Sequence, residues 1–405
     1  MNPFIALEKK YGAQNYQPLP VVLTRGEGVY VWDDEGNRYM DMMSAYSSVS
    51  CGHGHPRLVA KLIHQAQQLA VVSRAYYTNQ LGLFLQRACE LTQLDMALPM
   101  NTGAEAVETA LKAARKWAYK IKKVPENKAE IIVCEGNFHG RTIAIVGMST
   151  ESQYRADFGP FPSGFKTIPF GDADALAKTI TPNTAAFLVE PIQGEGGIIL
   201  PPEGYLKRCA EICRKQNVLL ICDEVQTGLG RTGKWFAYQH EGIQPDALII
   251  GKALSGGLVP VSLFLARRDV MNVFTPGDHG STFGGNPLAA AIGLEALNVL
   301  EEEKLVEKAA TIGNYLYQRL MGLESPFIKE VRGKGLFFGI EIDPEQVSAR
   351  TICLKLMEKG ILSRETHGKV IPLAPPLVIT EEQINWFVDR FADVLMEIET
   401  SNQTA

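Results

Sequence analysis

Asn217-Val-Leu-Leu-Ile-Cys-Asp223 and Ala247-Leu-Ile-Ile-Gly-Lys252 are the two stretches on which the reading of this chain turns. Each is a short apolar run, rich in branched side chains, that ends on a single charge. Runs of this kind form strands buried on both faces of a parallel sheet. Open α/β sheets place their chemistry just beyond the carboxyl ends of such strands, so Asp223 and Lys252 are expected to project into one crevice. Two readings of the pair stand side by side. It is an ion pair between strand ends, or it is an amine able to form a Schiff base beside a carboxylate able to hold a protonated pyridine nitrogen, the arrangement that pyridoxal phosphate requires.

The bulk properties narrow the field. The 405 residues, 46% apolar and 21% charged, suit a soluble globular protein of two to three domains with a large core. A net charge of -5 gives no basic footprint for nucleic acid or an anionic membrane surface, and no apolar run reaches transmembrane length. The first twenty residues lack the apolar core and cleavage site of a signal peptide, so a cytoplasmic location is expected. Seven scattered cysteines argue against a disulfide framework. Cys209 and Cys213 lie one helical turn apart, but no second Cys/His pair completes a ligand set, and no metal is expected.

Along the chain, residues 18 to 43 read as a small antiparallel meander with a turn at Asp33-Asp-Glu-Gly36. From about 100 to 290, helical patterns alternate with buried strands, at Ile131–Val133, Ala185–Val189, Val218–Cys222, Leu248–Ile250 and Val261–Leu265. A long helical stretch from Pro287 to Leu320 follows, then Leu336–Ile340, Val370-Ile371 and a last helix opened by the capping box Thr380-Glu-Glu-Gln383. The expected architecture is α/β: a large domain with a mainly parallel sheet, and a smaller α+β domain formed by both chain ends. The expected division is 1–45, 46–295 and 296–405.

Several motifs each carry a plain and a chemical reading. Thr102-Gly103-Ala104-Glu105 is a capping box, either simply a helix start or a helix start where Gly103 lets backbone approach a phosphate. Phe138-His139-Gly140-Arg141 offers an aromatic able to stack on a flat ring and a guanidinium able to grip a carboxylate, or a loop anchor and a surface charge. Glu190 and Glu195 occupy the next strand-end loop, as site acids or solvated ones. Gly228-Leu-Gly-Arg-Thr-Gly233 spells a dinucleotide fingerprint, but Trp235-Phe236 follows where a helix should begin. These glycines are expected to form a loop around the active site instead. Ser281 and Thr282 precede a helix starting near Pro287, again a setting compatible with phosphate.

Taken together, Asn101-Thr-Gly-Ala-Glu105, Phe138–Arg141, Glu190-Pro-Ile-Gln-Gly-Glu195, Asp223-Glu-Val-Gln226, Gly251-Lys252-Ala253 and Ser281-Thr-Phe-Gly-Gly-Asn-Pro287 resemble the class III aminotransferases in motif order over essentially the whole chain. The resemblance implies pyridoxal 5'-phosphate as cofactor and the pyridoxal-phosphate-dependent transferase fold type I. It implies that Lys252 bonds the cofactor and later moves the proton, that Asp223 holds the pyridinium proton, that Gln226 bonds the ring hydroxyl and that Phe138 stacks on the ring. Gly103 and Ala104 would hold the phosphate by their backbone, Ser281 and Thr282 would come from the other subunit of a homodimer, and His139 and Glu190 complete the cofactor-binding set. Asn15-Tyr16, Ser44-Ala-Tyr46-Ser47, Gly52–Pro56 and Thr366-His-Gly368 are similar to the branch that acts on the δ-amino group of ornithine and a 2-oxo acid, 2-oxoglutarate being the expected acceptor. There Tyr16 and Arg141 would bind the ornithine carboxylate, with Tyr46 and Glu195 lining the pocket. Acetylornithine or 4-aminobutyrate type donors are the alternative within the family, against which the Tyr16 and Tyr46 pair argues. One position departs: where the family usually carries an arginine for the acceptor carboxylate, this chain has Pro372, and Lys369 and Arg364 are the nearby cations able to replace it.

Overall fold

The computed structural model describes residues 2–403. Strands β1 (Leu23–Glu27), β2 (Tyr30–Asp33) and β3 (Arg38–Asp41) form the expected meander. The middle of the chain supplies β4 (Met96–Met100), β5 (Glu130–Cys134), β6 (Phe165–Ile168), β7 (Thr184–Val189), β8 (Leu219–Asp223), β9 (Ala247–Ile250) and β10 (Ser262–Ala266). The last part adds β11 (Ile328–Lys334), β12 (Phe337–Ile342), β13 (Ile361–Leu362) and β14 (Val370–Leu373).

The middle strands make one seven-stranded sheet in the order β4-β10-β9-β8-β7-β5-β6, parallel except for β10, which runs antiparallel to both neighbours. Every residue of β7, β8, β9 and β10 is buried, as expected of strands covered by helices on both faces. Two core clusters lie on the two sides of this sheet, because alternate residues of one strand point opposite ways: Leu220 and Cys222 join one, Leu219 and Ile221 the other. The chain ends meet in a second sheet, β1-β2-β3-β13, where β13 lies parallel to β3, and β11-β12-β14 form a third. The helical stretch after Pro287 is two helices, Pro287–Glu302 and Leu305–Met321, broken where Lys304 takes a left-handed φ of 54°. Both capping boxes form: Thr102 Oγ1 accepts from Glu105 N at 3.2 Å, and Gln383 Oε1 accepts from Thr380 N at 2.9 Å.

The glycine-rich loop at 228–233 is a correction. It does not line the main cavity but ties the three sheets' connections together. Arg231 is fully buried there; its Nη1 donates to the carbonyls of Leu336 and Pro375 at 3.0 and 2.6 Å, and its Nη2 to the hydroxyls of Ser44 and Ser50 at 3.4 and 3.3 Å. Burial pushes this guanidinium down to about 9, with the charge of Asp41 opposing. Replacing it should strand two buried carbonyls. Arg231→Met is therefore expected to lower stability by about 2–6 kcal/mol, read as a fall in the urea midpoint; an unchanged midpoint would refute the structural role.

Candidate active site

The carboxyl ends of three adjacent strands converge. Asp223 closes β8, Glu190 follows β7, and Lys252 stands two residues beyond β9. Asp223 pairs in register with Ile249, which brings the acid and the amine to one edge of the sheet, as their sequence positions implied. Lys252 takes a φ of 46°, directly after the extended backbone of Gly251. A lysine in the left-handed region is strained, and strain of this kind persists where the surroundings over-determine it.

The charges here are few and dry. Asp223 is 5% exposed; its Oδ2 meets His139 Nδ1 at 2.7 Å and its Oδ1 accepts from Val225 N at 3.1 Å. Burial alone would lower the pKa of His139, but the hydrogen bond and charge of Asp223, with the charge of Glu190, outweigh it and hold the imidazole above its usual value. The opposite ring nitrogen, Nε2, is buried without a partner among the described residues. Glu190 accepts from Phe138 N at 2.9 Å and from Gly194 N at 3.2 Å, and burial pushes its carboxyl up to about 7 against the charge of His139. Burial also pulls the Lys252 amine below its usual value, against the charges of Glu195, Asp223 and Glu190.

Lys252, Phe138, Arg141, Glu195, Tyr16 and Tyr46 all face one cavity of about 910 Å³, the upper range for small-molecule sites. Tyr46 reaches it from a run of four non-glycine residues, Ser44 to Ser47, with φ between 42° and 72°. The Lys252 amine lies 5.9 Å from the Tyr46 ring centroid, and the Arg364 guanidinium lies 5.2 Å from the same centroid while donating to the Tyr46 hydroxyl. Burial raises the Tyr46 pKa, Arg364 opposes, and Glu195 and Tyr16 add to the rise. Arg141 stacks at 3.5 Å on Tyr154 and 5.3 Å on Phe138, and has no ion pair among the described residues. Tyr154 was missed in the sequence, where no motif marks it. Gln226 lies with Glu195, Arg364 and Pro372 around a small annex of the cavity. Lys369 stays outside, 3.4 Å from Glu341.

Pyridoxal phosphate fits this donor set. The backbone N–H groups of Gly103 and Ala104 open the helix Gly103–Trp117 and have no acceptor among the described residues, which is what an anion at a helix N-terminus needs. A Cβ at Gly103 would lie 3.0 Å from Val225 Cγ1, so a larger residue would crowd the approach. Ser281 and Thr282 are not brought to Lys252: they line a separate cavity with Arg74, and Ser281 Oγ accepts from Asn101 Nδ2 at 3.0 Å.

Residues 11–395 match the family model "Aminotransferase class-III". The ornithine aminotransferase of Geobacillus sp. (strain WCH70) is 56% identical over 390 residues, 96% of this chain and 97% of that protein. The ornithine aminotransferase of Brevibacillus brevis is 54% identical over 394 residues, 97% and 98% of the two chains. Among solved structures, an ornithine aminotransferase from Toxoplasma gondii with partial occupancy of PLP at its active site superposes with a TM-score of 0.97 at 46% identity, over 99% of this chain and 95% of that one. An acetylornithine aminotransferase from Elizabethkingia anophelis gives 0.89 at 50% identity, over 97% and 98%.

The depressed Lys252 pKa has a consequence for the cofactor-free protein. The unfolded chain keeps the amine proton up to the ordinary lysine value of 10.5, whereas the folded chain gives it up at lower pH. The folded state is thus penalised below its own pKa and relieved as pH rises toward 10.5. Lys252→Met should be more stable than the parent at neutral pH, with the gap closing in alkali; a gap independent of pH, measured by urea unfolding at a series of pH values, would refute this.

Proposed function

The chain belongs to the class III aminotransferases, and on that premise we propose that it transfers the δ-amino group of L-ornithine to 2-oxoglutarate through pyridoxal 5'-phosphate, giving glutamate 5-semialdehyde and glutamate. The observation that carries this is the single cavity holding the half-buried Lys252 together with Tyr16, Tyr46, Glu195 and an Arg141 that has no acidic partner among the described residues. A guanidinium held on aromatic rings without a carboxylate is ready for a substrate's own.

When bound, the cofactor supplies a carbonyl that takes up the amino group and a pyridinium ring that withdraws electrons. The residues do the rest. Asp223 would hold a proton on the ring nitrogen by a charge-assisted hydrogen bond, and His139 fixes the orientation of that carboxylate. Phe138, its N–H held by Glu190, would lie against the ring, and Gln226 would reach the ring hydroxyl. The Gly103 and Ala104 N–H groups would hold the phosphate. Lys252, driven toward its neutral form by burial, would be the amine that bonds the cofactor and the base that holds and moves the substrate's proton. Tyr16 and Arg141 bind the ornithine carboxylate, which leaves the distal amine at the reacting end, and Tyr46 and Glu195 line its path.

A second copy of the chain belongs to the same proposal, contributing Ser281 and Thr282 to its partner's phosphate site. The cavity they line is bordered by Val71, and Val71, Tyr76, Tyr77 and Phe283 are exposed large apolar residues of the kind an interface covers. The division 1–45, 46–295 and 296–405 and a cytoplasmic location are likewise proposed.

Purified protein with ornithine, 2-oxoglutarate and cofactor should yield the cyclised semialdehyde, trapped by its colour reaction, and Lys252→Ala should lose roughly 100- to 10,000-fold in turnover. Product from acetylornithine or 4-aminobutyrate but none from ornithine would refute the donor. Sharing of sites is checked by refolding a mixture of Lys252→Ala and Thr282→Asp chains: recovered turnover above either variant alone is expected, because one site of each mixed dimer is then intact, and no recovery counts against a shared site.

A further inference from the structure

We propose that Arg364 receives the carboxylate adjacent to the reacting carbonyl of the 2-oxo acid, while Arg141 receives the distal one; the proposal rests on the aminotransferase reading above. The two substrates of such a reaction use one cavity in turn, and they differ in where they carry negative charge. Ornithine has no carboxylate on its reacting δ-carbon, only one at the far end of the chain. A 2-oxo dicarboxylic acid has one bonded directly to the reacting carbon and a second further out. One more cation is therefore needed close to the Lys252 amine than ornithine alone demands.

Among the described residues, the lysine and arginines lining the cavity are Lys252, Arg141, Arg350 and Arg364, and His367, which also lines it, lies 3.6 Å from Glu151. Arg350 is already engaged, by Glu365 at 3.4 Å and by the carbonyls of Gln17 and Pro18. Arg141 stands on the Tyr154 ring. Arg364 shares the Tyr46 ring with the Lys252 amine, which puts it beside the reacting end. Its Nε donates to the carbonyl of Glu365 at 3.2 Å and its Nη1 to the Tyr46 hydroxyl, and neither group is a carboxylate. Its Nη2 has no partner among the described residues, so the planar fork is positioned but its charge is not neutralised by an ion pair. A carboxylate can displace a phenol from such a fork and gain two parallel hydrogen bonds.

The strand that packs against this corner offers no competing charge. β14 presents Pro372 to the annex shared with Glu195 and Arg364, and its carbonyl is occupied by the Ser363 hydroxyl at 3.0 Å. Lys369 lies 3.4 Å from Glu341 and does not line the cavity. Arg364 is the guanidinium left for the job.

The test separates the two halves of the reaction. Cofactor-free enzyme is loaded with pyridoxamine 5'-phosphate and its single turnover with 2-oxoglutarate is followed by absorbance; the ornithine half is followed separately on enzyme loaded with pyridoxal 5'-phosphate. Binding of glutarate, a dicarboxylate with no carbonyl, is measured by calorimetry as a readout independent of turnover. Arg364→Gln should weaken 2-oxoglutarate and glutarate by roughly 10- to 100-fold, the worth of a charged hydrogen-bonded pair. The loss in the acceptor half should exceed that in the ornithine half at least tenfold. Arg364→Lys should fall between, since it keeps the charge and loses the fork, and Lys369→Ala should stay within about twofold of the parent, as expected for an exposed residue outside the cavity. Equal losses in both halves, an acceptor half that survives Arg364→Gln, or the same loss in Lys369→Ala would overturn the proposal. Because the acceptor half is started from pyridoxamine 5'-phosphate, a failure of ornithine as donor shows itself separately and leaves the Arg364 comparison intact.

Discussion

A protonated amine desolvated as that of half-buried Lys252 is held at a cost that nearby charge must offset, and much of the site follows from how that is done. Among the described residues no carboxylate forms an ion pair with the amine; the acids that oppose its desolvation, Glu195, Asp223 and Glu190, act through space. That leaves the amine easy to deprotonate and free to react, where a direct ion pair would have kept it charged and bound. The parallel sheet makes this possible because adjacent strands end in register. Asp223 and Lys252 arrive on neighbouring β8 and β9, and Glu190 on β7, without any of them meeting head-on.

The acids divide their roles by environment rather than by type. Glu190 and Glu224 are both pushed up to about 7 by burial, and both are consumed by backbone donors: Phe138 and Gly194 for one, Ala237 and Tyr238 for the other. They fold loops. Of these three acids it is Asp223 that is paired with an imidazole, whose raised pKa keeps a positive partner at hand. His139 Nε2 is buried without a partner among the described residues, so the orientation of the ring is set by Asp223 and not by competition.

The strands that carry chemistry were the most legible part of the sequence, for the reason that makes them useful: covered on both faces, they read as unbroken apolar runs ending in a charge. β4 was invisible because Pro99 sits inside it and three of its five positions are only partly buried. The helix pair 287–321 read as one because Lys304 is an unremarkable residue in sequence that happens to turn left-handed. Glycine spacing at 228–233 announced a tight loop but could not say which elements it would press against. Phe138, Arg141, Glu195 and Tyr46 line one cavity with Lys252, while Ser281 and Thr282 line another, a separation that no motif in the sequence marks. Arg364 entered only as one of two cations near Pro372; its distinction from Lys369 is a matter of which side of β14's hairpin faces the cavity, and three-dimensional packing decides that.

A neutral partner for Arg364 suits a cavity that must take two different substrates. Had the guanidinium been locked to an acid, an incoming carboxylate would have to break an ion pair of about its own strength, and the gain on binding would be small. Had it no partner, the site would present an unbalanced charge to ornithine, whose reacting end is itself an amine. Tyr46 answers both demands. Its hydroxyl holds the fork in place with a bond weaker than a carboxylate's, and burial keeps the phenol protonated so that it does not become the competing anion. Glu195, lining the same annex, adds negative charge near the ammonium of the donor without closing on the guanidinium, with which it forms no ion pair among the described residues. The corner formed by Arg364, Tyr46 and Glu195 thus suits an amine in one half of the reaction and a carboxylate in the other.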